Sequence, residues 1–247
     1  MKHLVLYSGG PDSFITLHKV ILEEREDVSN IQVLYFDLGH RYRECERRAI
    51  QETYPQTTVL AELESLGILE ETDATIWHRN AFLCLAASRF ADSSTETIIY
   101  LTVQKDELSI PDRKPEFLDS MGSLLRSLGQ NIHIKAPFLD MDKTDMVTWF
   151  LATGGNAHVL KNTWSCYSPK TASDGLFIHC GDCPACIRRY IAFTLSNIYT
   201  YPTDYFCYPK SSKTAELYVN AAKAGKYSRE RRRRILEALG SGYEEVL

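Results

Sequence analysis

The chain has 247 residues, a formal net charge of −4 and a hydrophobic fraction of 44%. That length suits one large α/β domain with at most a small appendage, and the apolar share is ample for a buried core. The slightly acidic balance excludes a global electrostatic attraction to nucleic acid or to an anionic membrane, and no run approaches the roughly 20 apolar residues of a membrane span.

In chain order, Met1-Lys2-His3 leads into Leu4–Tyr7, a short, partly β-branched apolar run predicted as a buried parallel strand rather than as a signal peptide. A cytoplasmic location is expected. Ser8-Gly9-Gly10-Pro11-Asp12-Ser13 turns the chain, after which Phe14, Leu17, Val20 and Ile21 recur at helical spacing. Further strands are predicted at Ile31–Phe36, Thr57–Leu60, Thr97–Val103 and Ile132–Pro137. Helices are predicted between them, at about Tyr42–Tyr54, Arg79–Ser93, Pro115–Leu128 and Lys143–Leu151. Strands alternating with helices imply an α/β fold, a Rossmann-like parallel sheet with helices on both faces. Ligands in such sheets lie beyond the carboxyl ends of the strands. The loops of interest are therefore 8–13, 37–42, 104–113 and the segment after Ile134. Periodicity stops from Lys161 to Cys186, and a helix resumes over Arg188–Tyr199. The tail Ser228–Gly240 reads as an amphipathic helix with Ile235, Leu236 and Leu239 on its apolar stripe and Gly240 as its stop. Its arginine run is a solvated basic face, and no nucleic-acid or membrane partner is expected.

Strand, glycine turn and helix N-terminus make the first loop an oxyanion cradle. Gly9 and Gly10 let the backbone approach closely, Ser8 and Ser13 supply hydroxyls, and the helix aims its N–H groups and positive dipole end at the same place. Lys19 lies too far downstream to act as a P-loop lysine, so cleavage of a γ-phosphate is not expected.

Cys166, Cys180, Cys183 and Cys186 are spaced C-x13-C-x2-C-x2-C. Four thiolates with two-residue gaps suit tetrahedral Zn²⁺, a closed and therefore structural site, with a redox C-x2-C pair and an iron–sulfur cluster as rival readings. His179 reads as a neighbour of that site, and Cys45, Cys84 and Cys207 as inert thiols.

The SGGPDS loop and this cysteine set occur together with FDLGHRYRECE (36–46), RNAFLCLAAS (79–88), IPDRKPEF (110–117), IKAPFLDMDKTDMV (134–147), TWSCY and HCGDCPACIRRYIAF. In these stretches the chain resembles the 7-cyano-7-deazaguanine synthase (QueC-like) family of the SGGxDS ATP-pyrophosphatase, or PP-loop, superfamily. It departs from the family pattern at His78, where a glycine is usual, at Lys114, and in a longer gap between Cys166 and Cys180.

The resemblance implies an adenine nucleotide alpha hydrolase-like fold. Residues 1–160 would form the PP-loop ATP-binding domain, with residues 161–247 a zinc-binding and helical C-terminal region packed on it. It implies ATP, Mg²⁺ and Zn²⁺ as cofactors, and 7-carboxy-7-deazaguanine and ammonia as small-molecule substrates of a queuosine-type pathway. A homodimer is the expected assembly. Ser8, Gly9, Gly10, Pro11 and Ser13 are expected on the pyrophosphate of ATP. Asp12 is either a Mg²⁺-linked carboxylate or a helix cap. Lys143 either neutralises charge on the transferred group or is an ordinary helix-start lysine. Arg79 is expected at the nucleotide or the substrate carboxylate. Asn80, Asp112 and Arg113 are expected at the heterocycle, and Trp164 packs beside the zinc loop. Phe82, Leu83 and Ala86 read as the core face of the helix that starts at Arg79. Three alternatives use the same residues: joining a deazaguanine to nucleic acid or protein, modifying tRNA, or a zinc-stabilised binding module with a vestigial loop.

Overall fold

A computed structural model describes residues 1–25, 27–92, 94–199 and 204–240. The chain forms two compact units, Met1–Asp142 with Trp149–Trp164, and Lys143–Thr148 with Ser165–Leu247.

The first unit is built on five parallel strands, β1 (Lys2–Leu6), β2 (Ile31–Phe36), β3 (Thr58–Leu60), β4 (Thr97–Tyr100) and β5 (Ile132–Lys135), in the order β3-β2-β1-β4-β5. The two-residue alternation of a strand sorts their side chains onto two cores. Leu4, Leu6, Leu34, Phe36 and Ile99 pack with Cys84 and Ala87 of α3 (Arg79–Ser88) and with Leu118, Met121 and Leu125 of α4 (Pro115–Ser127). Val5, Tyr7, Val33, Tyr35 and Tyr100 pack on the opposite face with Leu17 and Val20 of α1 (Pro11–Glu23) and Ile50 of α2 (Arg43–Thr53). Because β1 is central and the chain returns to β4 on its other side, the strand order reverses between β1 and β4. A sheet of this order opens a crevice at that point, outside the carboxyl ends of the two strands. A hydroxyl pair spans it, with Thr102 Oγ1 donating to the buried Thr16 Oγ1 of α1 at 2.9 Å.

Several predicted elements end earlier than their patterns: β5 ends at Lys135 rather than Pro137, and the helix expected over Arg188–Tyr199 runs over Pro184–Leu195. Strand β4 stops at Tyr100, although the Leu101 N–H still donates to the Lys135 carbonyl at 2.9 Å and Leu101 and Val103 stay buried; past Leu101 apolar character reports core packing rather than ladder pairing. Helix α3 stops at Ser88, whose hydroxyl turns back to the Leu85 carbonyl while the Gln130 side chain donates to the Ser88 carbonyl at 3.0 Å. The predicted end of that helix, Ser93, lies outside the described residues. Its core face is partly the one expected, since Leu83 and Ala86 pack against the core while Phe82 does not. Cys84 and Ala87, with Asn80 and Ser88, are buried, whereas Phe82 is exposed and Leu83 and Ala86 are half-buried.

Helix α5 (Lys143–Ala152) contributes residues to both units, and the short α6 (Ala157–Lys161) belongs to the first. The second unit holds the hairpin β6 (Lys170–Thr171) and β7 (Phe177–Ile178), then α7 (Pro184–Leu195), α8 (Lys213–Lys223) and α9 (Arg229–Leu239). The three helices meet through Ile187, Tyr190, Ile191, Ala215, Ala222, Ile235 and Leu239. Helix α8 was not among the predicted elements. Its signal was present in Ser212, which accepts the Ala215 N–H, followed by Ala215, Val219 and Ala222 at helical spacing. Three of the five arginines of α9 are engaged within this unit: Arg231 lies over the Tyr227 ring, Arg233 pairs with Glu237, and Arg234 bonds Asp145 and Glu230. Among the described residues, no helix is long and apolar enough to cross a membrane.

His3 is 2% exposed on β1, with Nδ1 at 3.1 Å from the Tyr100 hydroxyl and Nε2 at 3.4 Å from Glu24. Burial lowers its pKa from 6.5, against a smaller opposing pull from Glu24. A histidine that the fold keeps neutral contributes its full stability above the unfolded value. Stability then falls as the pH drops through that value towards the lowered folded one. His3→Gln is expected to shrink the fall in melting temperature between pH 7.5 and pH 5.5; an unchanged fall would assign the acid sensitivity to other groups.

Candidate anion loop and metal centre

The loop after β1 is shaped by residues on three sides. Gly9 adopts φ +70°, and a Cβ there would come within 2.8 Å of the Glu46 carbonyl oxygen on α2. Both the left-handed backbone and the lack of space call for glycine. Its own carbonyl accepts the Trp164 backbone N–H at 2.8 Å, which gives Trp164, itself buried, a direct backbone role at this loop. Inside the loop the Ser13 hydroxyl donates to the Gly10 carbonyl at 3.1 Å and accepts the Ser8 N–H at 3.2 Å, while the Ser8 and Ser13 hydroxyls lie 3.3 Å apart. Gly10 is the N-cap of α1 and Pro11 occupies its first turn, so no side-chain cap closes the helix start. Asp12 sits inside that first turn, past the cap position, where its charge complements the helix dipole. The result is a concave run of backbone and hydroxyl donors at a helix N-terminus, suited to a phosphate oxyanion.

The loop after β2 lies alongside. Asp37 is buried and accepts the Gly39 N–H at 2.8 Å. His40 is also buried, with its Nε2 at 3.0 Å from the Glu46 carboxylate. Tyr35 points its enclosed hydroxyl into the same region without a hydrogen bond, and burial, reinforced by Glu46, raises its pKa far above the ordinary phenol value. The sequence marks loop 37–42 as one of interest but gives none of these residues a role of its own; the relation of Tyr35 and His40 to Glu46 is created by the packing of α2 on β2.

Of the residues expected at the heterocycle, Asn80 and Asp112 are brought together. The Asn80 backbone N–H donates to Asp112 Oδ2 at 3.1 Å, and its side-chain amide donates to the Asp112 carbonyl at 2.9 Å. Asp112 thus satisfies the start of α3 from a distant loop, a task that the helix's own N-cap, His78, does not perform. His78 adopts φ +58°, so the position where the resemblance expects glycine does carry the backbone conformation that favours it. Arg113, in the 3₁₀ turn with Asp112, pairs with Glu107 at 2.5 Å. Arg79 is half-buried at the first position of α3, and Lys143 opens α5 in the second unit.

The four cysteines form a cluster whose sulfurs all lie within 4.8 Å of one another. Cys180 and Cys186 Sγ are 3.9 Å apart, against the roughly 3.8 Å edge of a tetrahedron with Zn–S bonds of about 2.3 Å. Backbone N–H groups of Ser168 and Cys180 donate to the Cys166 sulfur, and that of Cys183 donates to the Cys180 sulfur, as suits anionic thiolates. The thiols pull against one another: hydrogen bonds from Cys166 lower the pKa of Cys180 to about 7 and carry that of Cys183 well below the thiol range, while contacts within the cluster raise those of Cys166 and Cys186. The donor set fits zinc, and four sulfurs leave no open position for catalysis. Gly181, between two of the ligands, has φ +80°, and a Cβ there would overlap the Cys207 carbonyl oxygen. The longer gap between Cys166 and Cys180 contains the β6–β7 hairpin, turned at Asp174-Gly175, which leaves both ligands at the cluster.

Among known families, the model of queuosine biosynthesis protein QueC matches residues 61–197, more than half of the chain. A 7-cyano-7-deazaguanine synthase of Methanobrevibacter smithii is 34% identical over 149 residues, spanning 58% of this chain and 61% of that protein. The synthase of Rhizobium rhizogenes is 28% identical, spanning 83% of this chain and 92% of that protein. For 7-cyano-7-deazaguanine synthase 1 of Colwellia psychrerythraea the identity is 26%, over 79% and 95% of the two chains.

Structural zinc is coupled to folding. The purified, reduced protein is expected to hold one zinc per chain, and Cys183→Ser is expected to lose metal, soluble yield and melting temperature together. Elemental analysis finding no zinc, or a Cys183→Ser protein of unchanged stability, would contradict this.

Proposed function

The chain belongs to the QueC family, and from that premise we propose that it converts 7-carboxy-7-deazaguanine and ammonia into 7-cyano-7-deazaguanine, using ATP to activate oxygen twice. The observation that carries this reading is the loop at Ser8–Ser13, an uncapped helix start with convergent hydroxyls and no P-loop lysine. It suits the pyrophosphate of a nucleotide attacked at its α-phosphorus. In this reading residues 1–160 are the ATP-binding domain and residues 161–247 the zinc-binding helical region.

A carboxylate oxygen is a poor leaving group, so the substrate carboxylate first attacks the α-phosphorus. The bond to the β-phosphate breaks, and pyrophosphate departs onto Ser8, Gly9, Gly10 and Ser13, with Pro11 shaping the turn. Ammonia adds to the acyl carbon and AMP leaves, giving the amide and a proton. The amide oxygen then attacks a second ATP in the same loop, and loss of AMP and of the two amide protons yields the nitrile. Lys143 offsets charge on the transferred phosphoryl group, Asp12 holds Mg²⁺, and Arg79 receives the carboxylate or nucleotide. Asn80, Asp112 and Arg113 border the heterocycle. Because one Asp112 oxygen is engaged by Asn80, its other oxygen is the one that would face a ligand. The zinc centre supplies fold stability to the second unit and takes no part in these steps.

Two measurements test the reading. The order of activation requires that the synthetic amide be dehydrated to the nitrile with ATP and without ammonia; an inert amide overturns it. Asp12→Asn and Ser13→Ala are each expected to lower turnover on the order of 100-fold, the effect of removing one charge-stabilising group, with zinc content unchanged. Full activity in both variants would make the loop a structural turn.

A further inference from the structure

Among the described residues most buried polar side chains find partners, the enclosed Tyr35 hydroxyl beside Glu46 being one that does not. His3, Asp37, Asn80, Thr163 and Arg234 are all hydrogen-bonded, and Thr16 is held by Thr102. Gln104 is 4% exposed, yet its carboxamide makes no hydrogen bond among the described residues. Only its backbone is tied, by the Glu107 N–H on its carbonyl. Leaving a buried amide unpaired is unfavourable, and such groups in native structures call for an explanation. Neither of its polar atoms belongs to the fully enclosed set, so the carboxamide keeps an opening to accessible space.

Its position supplies the explanation. Gln104 follows β4 by four residues and Thr102 by two, and Thr102 spans the crevice where the strand order reverses. In sheets of this order the two halves hold two parts of a ligand, and the adenosine part lies over the half made by β1, β2 and β3. A group at the end of β4 therefore faces whatever occupies the other half. A primary carboxamide offers one N–H and one carbonyl side by side. That is the complement of a lactam edge, which also presents an N–H beside a carbonyl.

We infer that Gln104 is a specificity-determining residue that forms a paired hydrogen bond with the lactam edge of a 7-deazaguanine substrate. This rests on the function proposed above and adds the contact that selects the base. An orphaned carboxamide that is satisfied only by ligand also ties stability to specificity, because removing it relieves the empty protein while weakening the complex.

The test compares the unaltered chain with Gln104→Met, which keeps length and removes both hydrogen-bonding atoms. A bidentate amide contact to a base edge is worth a discrimination of about 5- to 100-fold, so KM for 7-carboxy-7-deazaguanine is expected to rise by that factor. KM for ATP and zinc content should stay the same, and the melting temperature of the ligand-free protein should be equal or higher. A second arm uses the unaltered chain and a substrate analogue without the 6-oxo group. The unaltered chain should disfavour the analogue, and Gln104→Met should treat the two alike. A rise in KM for ATP instead would place Gln104 on adenine and overturn the inference. So would a lowered melting temperature with unchanged KM, which would make Gln104 structural. Absence of any turnover of 7-carboxy-7-deazaguanine by the unaltered chain defeats the proposed function itself, and the ligand named for Gln104 with it. Turnover with no change in Gln104→Met and no discrimination against the analogue defeats only the role of Gln104.

Discussion

Residue 9 has no room for a Cβ, and the surroundings of the anion loop follow from that. Its left-handed backbone turns the chain out of the central strand β1 against the Glu46 carbonyl, and its own carbonyl is taken by the Trp164 N–H. The loop is thereby held from α2 on one side and from residue 164 on the other. The start of α1 is left with no side-chain cap. The cradle is rigid because its supports are backbone groups, which offer no rotamers to reorganise. The sheet beneath it is equally determined: alternate residues of β1 belong to two separate cores, so a shift of one residue would exchange every buried side chain between them.

What could be read in the sequence was local. The strand, glycine turn and helix start at 4–20 is a contiguous pattern, and the cysteine cluster is mostly contiguous, with ligands two residues apart. Both depend on short-range spacing that survives without knowledge of the fold. Less legible were features decided by packing. Phe82 is as apolar as Leu83, which packs on the core, yet Phe82 is exposed while the polar Asn80 is buried because Asp112 reaches it from another loop. The run from Leu101 to Val103 looks like more strand, but past the Leu101 N–H bond to Lys135 its composition reflects burial. The arginines of α9 look like a basic face, and only the folded unit shows Tyr227, Asp145, Glu230 and Glu237 beside them. Gln104 is the extreme case. Nothing in its sequence neighbourhood distinguishes it, since its distinction is a missing partner, and a missing partner can be recognised only once every neighbour has been placed.

The chemical reading and the architecture support each other at the β1–β4 crevice. A reaction that activates oxygen twice needs a fixed phosphate cradle and an acceptor site beside it. The reversal of strand order supplies two adjacent loop systems, one after β1 and one after β4, joined by the Thr16–Thr102 hydroxyl contact. The metal centre belongs to a different concern. Among its described residues, the small helical unit has limited apolar surface to bury, and an ion held by the four cysteines would stabilise a domain of that size.

The hairpin between Cys166 and Cys180 leads to a practical conclusion. Both of its ends are held at the same cysteine cluster, so the chain between them closes a loop whose entropic cost grows only with the logarithm of its length, by roughly 0.6 kcal/mol per doubling. Its tip at Asp174-Gly175 is exposed and makes its turn with its own residues. This is a place where peptide could be spliced in, such as an epitope, a fluorophore-binding tag or a short reporter domain, while the thiolates below stay where they are.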